Sequence, residues 1–168
     1  SEEGMIMEIL YEDNHVIVAY KDKGILSQAD GSNKPDMLTL LKDYIKEKYN
    51  KPGNVYLGLV HRLDINTSGV MVFAKTSKAA ARLSEAIKNN NLNKKYYCVV
   101  EGIIKDSGIL KNNILKDEAN KKGYVDSNGK EAILEYELVA FKNNLSLVKI
   151  DLKTGRSHQI RVQFSSRG

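Results

Sequence analysis

One cysteine, three histidines and no apolar run of membrane length set the first limits on this chain. Cys98 lies in the run Tyr-Tyr-Cys-Val-Val and has no second cysteine to pair with. That excludes a disulfide scaffold, suits a reducing compartment and makes Cys98 a small core residue. His15, His61, His158 and Cys98 show none of the paired spacings that build a four-ligand zinc site, so no metal is expected. Neither GxxxxGK nor GxGxxG occurs, which leaves phosphate-loop and dinucleotide chemistry without a motif. A Ser-His-Asp hydrolase could be assembled on paper from Ser68, His158 and Asp64, but no GxSxG turn presents the serine. Spanning a bilayer takes about 18 apolar residues in a row, and no stretch approaches that. The chain opens Ser-Glu-Glu, without the basic and apolar regions of a secretory leader, so a cytoplasmic location is expected.

The 168 residues, 42% of them hydrophobic, suffice for one domain, or for two lobes sharing a sheet, around a substantial core. Lys and Arg total 26 against 21 Asp and Glu, giving +5 at neutral pH and a pI of about 9.1. A basic balance suits a polyanionic partner and equally a merely soluble surface. Ile9 to Tyr11 and Val16 to Tyr20 read as a hairpin across Glu-Asp-Asn-His. Asp36 to Tyr49 reads as a helix, capped by Asp36 after Pro35, with Leu40, Leu41, Tyr44 and Ile45 on one face. A second helix follows Ser77, with Ala79, Ala80, Leu83, Ala86 and Ile87 on its apolar side. The second half reads as strands: Tyr96 to Val100, Ala132 to Phe141, Leu145 to Leu152 and Gln159 to Phe164. Turns fall at Ser127-Asn128-Gly129 and Lys142-Asn143-Asn144, and Lys111 to Lys122 reads as a charged loop. The class is α+β, with a mixed, mostly antiparallel central sheet flanked by helices.

The stretch Gly58 to Thr76, GLVHRLDINTSGVMVFAKT, organises the chain. Two apolar runs, Leu57 to Val60 and Val70 to Ala74, bracket a polar turn carrying His61, Arg62, Asp64, Asn66, Thr67 and Ser68. Loops held by rigid flanks are where catalytic residues concentrate, so Asp64 is either a turn cap or a reactive carboxylate. Elsewhere stand Tyr96 and Tyr97 after Lys94-Lys95, and the basic run LKTGRSHQIRVQ with Arg156 and Arg161. Arginine keeps a neighbouring carboxylate ionised and tyrosine stacks on a base, so the set suggests a carboxylate acting on a nucleotide.

HRLDINTSG at 61–69, KKYYCVVEG at 94–102 and LKTGRSHQIRVQ at 152–163 resemble, in order and spacing, the three motifs of the RluA-type pseudouridine synthases. The opening hairpin is similar as well, so the resemblance covers nearly the whole chain. It implies the pseudouridine synthase fold and a cofactor-free isomerase of uridine in ribosomal or transfer RNA. Asp64 is then the essential carboxylate, either a nucleophile toward the sugar or a base in a glycal route. Tyr96 stacks on the flipped uracil, and Arg161 matches the arginine that salt-bridges the catalytic Asp. Arg62 enters the RNA where the target base leaves. Arg156 and His61 are further candidates for substrate binding, while His61, Thr67, Ser68, His158 and Gln159 are expected more often to be scaffold, tying the catalytic loop to the neighbouring strand. Tyr97 alternates to the opposite face of the same strand as Tyr96.

The family's usual Lys-Pro-x-Gly is Lys21-Asp22-Lys23-Gly24 here, a departure expected to loosen a turn without touching a catalytic position. By resemblance, residues 1–168 form one catalytic domain that lacks its C-terminal part and an S4-like domain, and that is a monomer when complete. Gln159 to Phe164 is then a strand with an uncovered edge, Val162 and Phe164 facing outward. A catalytically silent RNA-binding remnant of the family is the alternative.

Overall fold

The structure, a computed structural model, describes residues 7–119 and 122–168. The chain divides into two compact units, Ser1–Asn89 and Asn90–Gly168.

In the first unit, β1 (Ile9–Glu12), β2 (Val16–Lys21), β3 (Gly58–Leu59) and β4 (Gly69–Ala74) form an antiparallel sheet in the order β1-β2-β4-β3. The β1–β2 turn closes on Asp13, whose carboxylate accepts the amides of His15 and Val16 at 2.7 and 2.8 Å. Strand alternation sends Ile17, Ala19 and Lys21 of β2 to one face, opposite Phe73, Met71 and Gly69 of β4. The four apolar members of that face are fully buried, as are Met37, Leu41 and Ile45 of helix α1 (Met37–Lys48). Side chains of this size each contribute about 1.5–3 kcal/mol on burial.

Asp36 caps α1 by accepting the Thr39 amide at 2.9 Å, and Lys46 and Lys48 in the last turn complement the helix dipole. Helix α2 (Ser77–Lys88) is capped one residue earlier than its sequence suggests. Thr76, not Ser77, accepts the Ala79 amide. Glu12 at the end of β1 ties α1 to the sheet. Its carboxylate receives Lys75 at 2.6 Å, Tyr49 at 2.7 Å, Lys48 at 2.9 Å and Tyr44 at 3.2 Å.

In the second unit, β5 (Lys94–Glu101), β6 (Ser107–Asp117), β7 (Lys122–Val125), β8 (Lys130–Lys142) and β9 (Leu145–Leu152) form an antiparallel sheet, β5-β9-β8-β6-β7. The β8–β9 hairpin turns on Asn143 and Asn144, both left-handed at φ 54° and 59°. Asparagine tolerates that conformation, and two such residues in succession match the right-handed strand twist. One sheet face buries Leu110, Leu134, Val148 and Ile150, with Tyr96, Cys98, Tyr136, Ile160 and Phe164 packed against them. Burial raises the Cys98 thiol to a pKa of about 11, as befits an inert core residue.

Two expectations are corrected here. The charged stretch expected as a loop from Lys111 is strand as far as Asp117, the second half of β6, while Asn120 and Lys121 lie outside the described residues. Its alternation is disguised because Asn112 occupies the position between the buried Leu110 and Ile114.

The third motif is not a strand but a short helix, α3 (Gln159–Ser165). Ile160, Val162 and Phe164 alternate as in a strand. The residues that are fully inside are instead Gln159, Val162 and Gln163, at helical spacing. Val162 packs with Ile114 and Ala132, and Phe164 meets Tyr136 edge-on at 5.7 Å between ring centroids. The outward-facing apolar strand edge expected of this segment is therefore not present.

Candidate active site

The Asp64 loop connects β3 to β4, neighbours in one sheet, so both of its ends are fixed by backbone pairing. Leu63 is its buried residue, and Asp64 and Arg62 on either side are exposed. A backbone turn from the Thr67 amide to the Asp64 carbonyl, 2.9 Å, shapes the tip.

Four further contacts hold the loop. His61 Nε2 accepts the Val72 amide at 3.0 Å, which makes that nitrogen an acceptor and binds the loop to β4. Ser27 Oγ accepts the Leu63 amide at 3.0 Å and donates to the Leu63 carbonyl at 2.7 Å. Gly24, at φ 93°, donates its amide to the Ile65 carbonyl at 2.7 Å. Lys21 completes the set from below, donating to the carbonyls of Thr67 at 2.7 Å, Asp22 at 3.2 Å and Ile65 at 3.3 Å.

Lys21 is the largest fully buried side chain of the protein's described residues. Burial lowers its pKa from the ordinary lysine value, and the Asp64 and Asp22 carboxylates oppose that drop. The 21–24 segment was expected to touch no catalytic position. Lys21 and Gly24 bond the backbone of the loop that carries Asp64, at Ile65 and Thr67. Lys21 stood out in the sequence only as part of the Lys-Pro-x-Gly position, and Ser27 not at all. The available signal was the phase of β2, in which a lysine occupies the third inward position after Ile17 and Ala19.

In the second unit, β5 places Tyr96 half-buried on the core-facing side, in register with Ile150, while Tyr97 is 67% exposed on the other side. The expected division between the two tyrosines is thus seen as a difference in burial. Arg156 lies in the turn between β9 and α3, where its Nε donates to the Glu131 carbonyl at 2.8 Å. Arg161 is on the exposed side of α3. His158 opens that helix in the left-handed region at φ 51°.

A glutamine network fixes this turn. Gln159 Oε1 accepts from Thr154 Oγ1 at 2.8 Å and from the Arg156 amide at 2.9 Å. Its Nε2 donates to the Ile133 carbonyl at 3.1 Å and to Gln163 Oε1 at 2.8 Å. Gln163 Nε2 in turn meets the carbonyls of Leu110 and Ala132 and the Asn112 side chain, all at 3.1–3.2 Å. Amides buried this deeply are costly unless bonded, and these are bonded throughout.

His61, Arg62 and Asp64 are thus gathered on one anchored loop of the first unit. Tyr96, Arg156 and Arg161 belong to the second, on β5 and on the β9–α3 turn and helix. Among the described residues no group of three His, Cys, Asp or Glu is placed to hold a metal ion. No helix of these residues is long and apolar enough to cross a membrane.

The family model for RNA pseudouridylate synthase matches residues 15–166, and the chain belongs to that family. Its relatives are RluA-type enzymes. It is 32% identical over 167 residues to ribosomal large subunit pseudouridine synthase D of Zymomonas mobilis, covering 96% of this chain and 53% of the relative. To the protein of the same name in Borreliella burgdorferi it is 36% identical, covering 93% of this chain and 50% of the relative. The chain thus spans about half the length of these curated relatives. The fold matches human RNA pseudouridylate synthase domain containing 4 with a TM-score of 0.80 at 23% identity, over 95% of this chain and 64% of that one.

Proposed function

We propose that this chain carries the catalytic region of an RNA pseudouridine synthase that isomerises a uridine in RNA without a cofactor. The observation that carries the reading is the Asp64 loop, a carboxylate presented at the surface on backbone held by Lys21, Gly24, Ser27 and His61. Preorganisation of this kind is what a group attacking a fixed atom requires.

In the reaction, the bond between ribose C1′ and uracil N1 breaks, the ring turns, and C5 bonds to C1′. The C5 proton leaves and N1 gains one, so the product is an isomer. Asp64 acts on the sugar, as nucleophile or as base in a glycal route. A stacked base cannot be reached, so the uridine is extruded at a cost of a few kcal/mol. Arg62 enters the gap, Tyr96 stacks on the turned-out ring, and Arg161 contributes positive charge toward the substrate. Arg156 and His61 complete substrate binding.

Large-subunit ribosomal RNA is the substrate class that the relatives' names support, with transfer RNA as the alternative, and the complete enzyme is taken to act as a monomer in the cytoplasm. RNA containing 5-fluorouridine tests the reading, because fluorine blocks loss of the C5 substituent. An enzyme of this class holds or hydrates the fluorinated product. A chain that binds this RNA yet leaves the fluorouridine unaltered is the silent remnant instead.

A further inference from the structure

Two cations of the second unit, Lys94 and Arg156, meet at the turn that follows β9. Lys94 opens β5 in register with Leu152, the last residue of β9, which brings it to the turn Thr154-Gly155-Arg156. Its Nζ lies over Gly155 so closely that a Cβ on that residue would be 2.7 Å away. Arg156 leaves the same turn, its guanidinium fixed by the single bond from Nε to the Glu131 carbonyl. Among the described residues, no hydrogen bond or salt bridge engages the Lys94 ammonium. The carboxylates of Asp151 and Glu135 are taken by Lys153, at 3.0 and 3.8 Å. Partial burial, and secondly the charge of Arg156, lower the pKa of Lys94 from its ordinary value. Holding two like charges at one partly desolvated place costs free energy that an anion between them recovers.

The face of β5 narrows the choice of anion. Lys94 and Tyr96 are two residues apart on one side of the strand, about 6.6 Å at ordinary strand rise. We propose that Lys94 and Arg156 form a binding subsite for one backbone phosphate of the RNA, beside the nucleotide whose base stacks on Tyr96. This deepens the RNA-modifying reading and rests on it. Lys94 fixes the strand's register as a point charge, and Arg156 contributes the planar fork that suits a phosphate.

Fluorescence polarisation with a large-subunit ribosomal RNA fragment, titrated in salt, tests the subsite. Lys94→Gln is expected to reduce the magnitude of the log–log salt slope by about 0.7, the share of one single-strand phosphate. The wild-type advantage in affinity then shrinks by about 2.6-fold between 50 and 200 mM salt. Arg156→Gln is expected to do the same, and the double variant to lose no more slope than either, because the phosphate is held only when both cations grip it. A scan of single methylphosphonates in the RNA should find one position whose neutralisation weakens the wild type and leaves the double variant unaffected. Unchanged slopes in both single variants, with RNA still bound, overturn the subsite and leave the RNA reading standing. A wild type whose RNA binding has no salt dependence overturns both.

Discussion

Lys21 and Thr67, 46 positions apart in the chain, are joined by a 2.7 Å bond from a fully buried ammonium to a backbone carbonyl. The same ammonium reaches the Ile65 carbonyl, so one side chain beneath the sheet end spans the loop immediately after Asp64. If Asp64 is the reacting carboxylate, as proposed, a buried lysine that spends its donors on the loop backbone is a positioning residue. It acts through the loop it holds.

Lys21→Met should leave these carbonyls without their charged donor, at about 1.5–3 kcal/mol by the worth of charge-assisted bonds. Turnover is expected to fall at least tenfold, with KM for RNA changed by less than about twofold, because a displaced reacting group costs the transition state rather than binding. Steady-state kinetics on one uridine-containing RNA provide the check. A loss confined to KM contradicts the positioning role.

Glu12 gives the first unit a defined acid sensitivity. Burial alone would raise its carboxyl, yet the donors from Lys75, Tyr49 and Lys48 hold its pKa down to about 2. A carboxylate with a depressed pKa stabilises the fold above its unfolded value, about 4.3, and loses that contribution as pH falls toward 2. Urea unfolding should show wild type losing about 1–2 kcal/mol more than Glu12→Gln between pH 6 and pH 3. Parallel losses in the two proteins contradict this account of the cluster.

Gln163 carries the attachment of α3. Gln163→Ala removes a fully buried amide and leaves Leu110, Ala132 and Asn112 without its donors and Gln159 without its acceptor. A cost of about 2–4 kcal/mol follows from unsatisfied buried groups. Thermal melting should shift downward by about 4–16 °C for a chain of this size. A shift under about 1 °C would show that α3 does not depend on the network.

Local signals explain which parts were legible beforehand. The hairpin, α1, α2 and the Asp64 loop each carry their own punctuation: Asp13 in the turn, Asp36 as cap, an apolar stripe from Ala79 to Ile87, apolar runs on both sides of Asp64. The RluA-type resemblance rested on just such short stretches, and the family match bears it out.

What escaped was written in polar residues turned inward. Asn112 hid the continuation of β6, and Gln159 and Gln163 hid the helical phase of α3. The anchoring roles of Lys21 and Ser27 were missed because their partners are backbone carbonyls and amides, which carry no side-chain identity. Apolar periodicity reports burial only where burial is apolar. At this site, much of what is inside is polar and paired.

The most direct test of the central claim is tritium release from RNA labelled at uridine C5, comparing wild type with Asp64→Asn. The substitution keeps shape and removes the carboxylate, so release is expected to fall below about 1% of wild type while RNA affinity stays within about threefold. Release by Asp64→Asn at a rate near that of wild type would contradict the assignment of Asp64 as the reacting group.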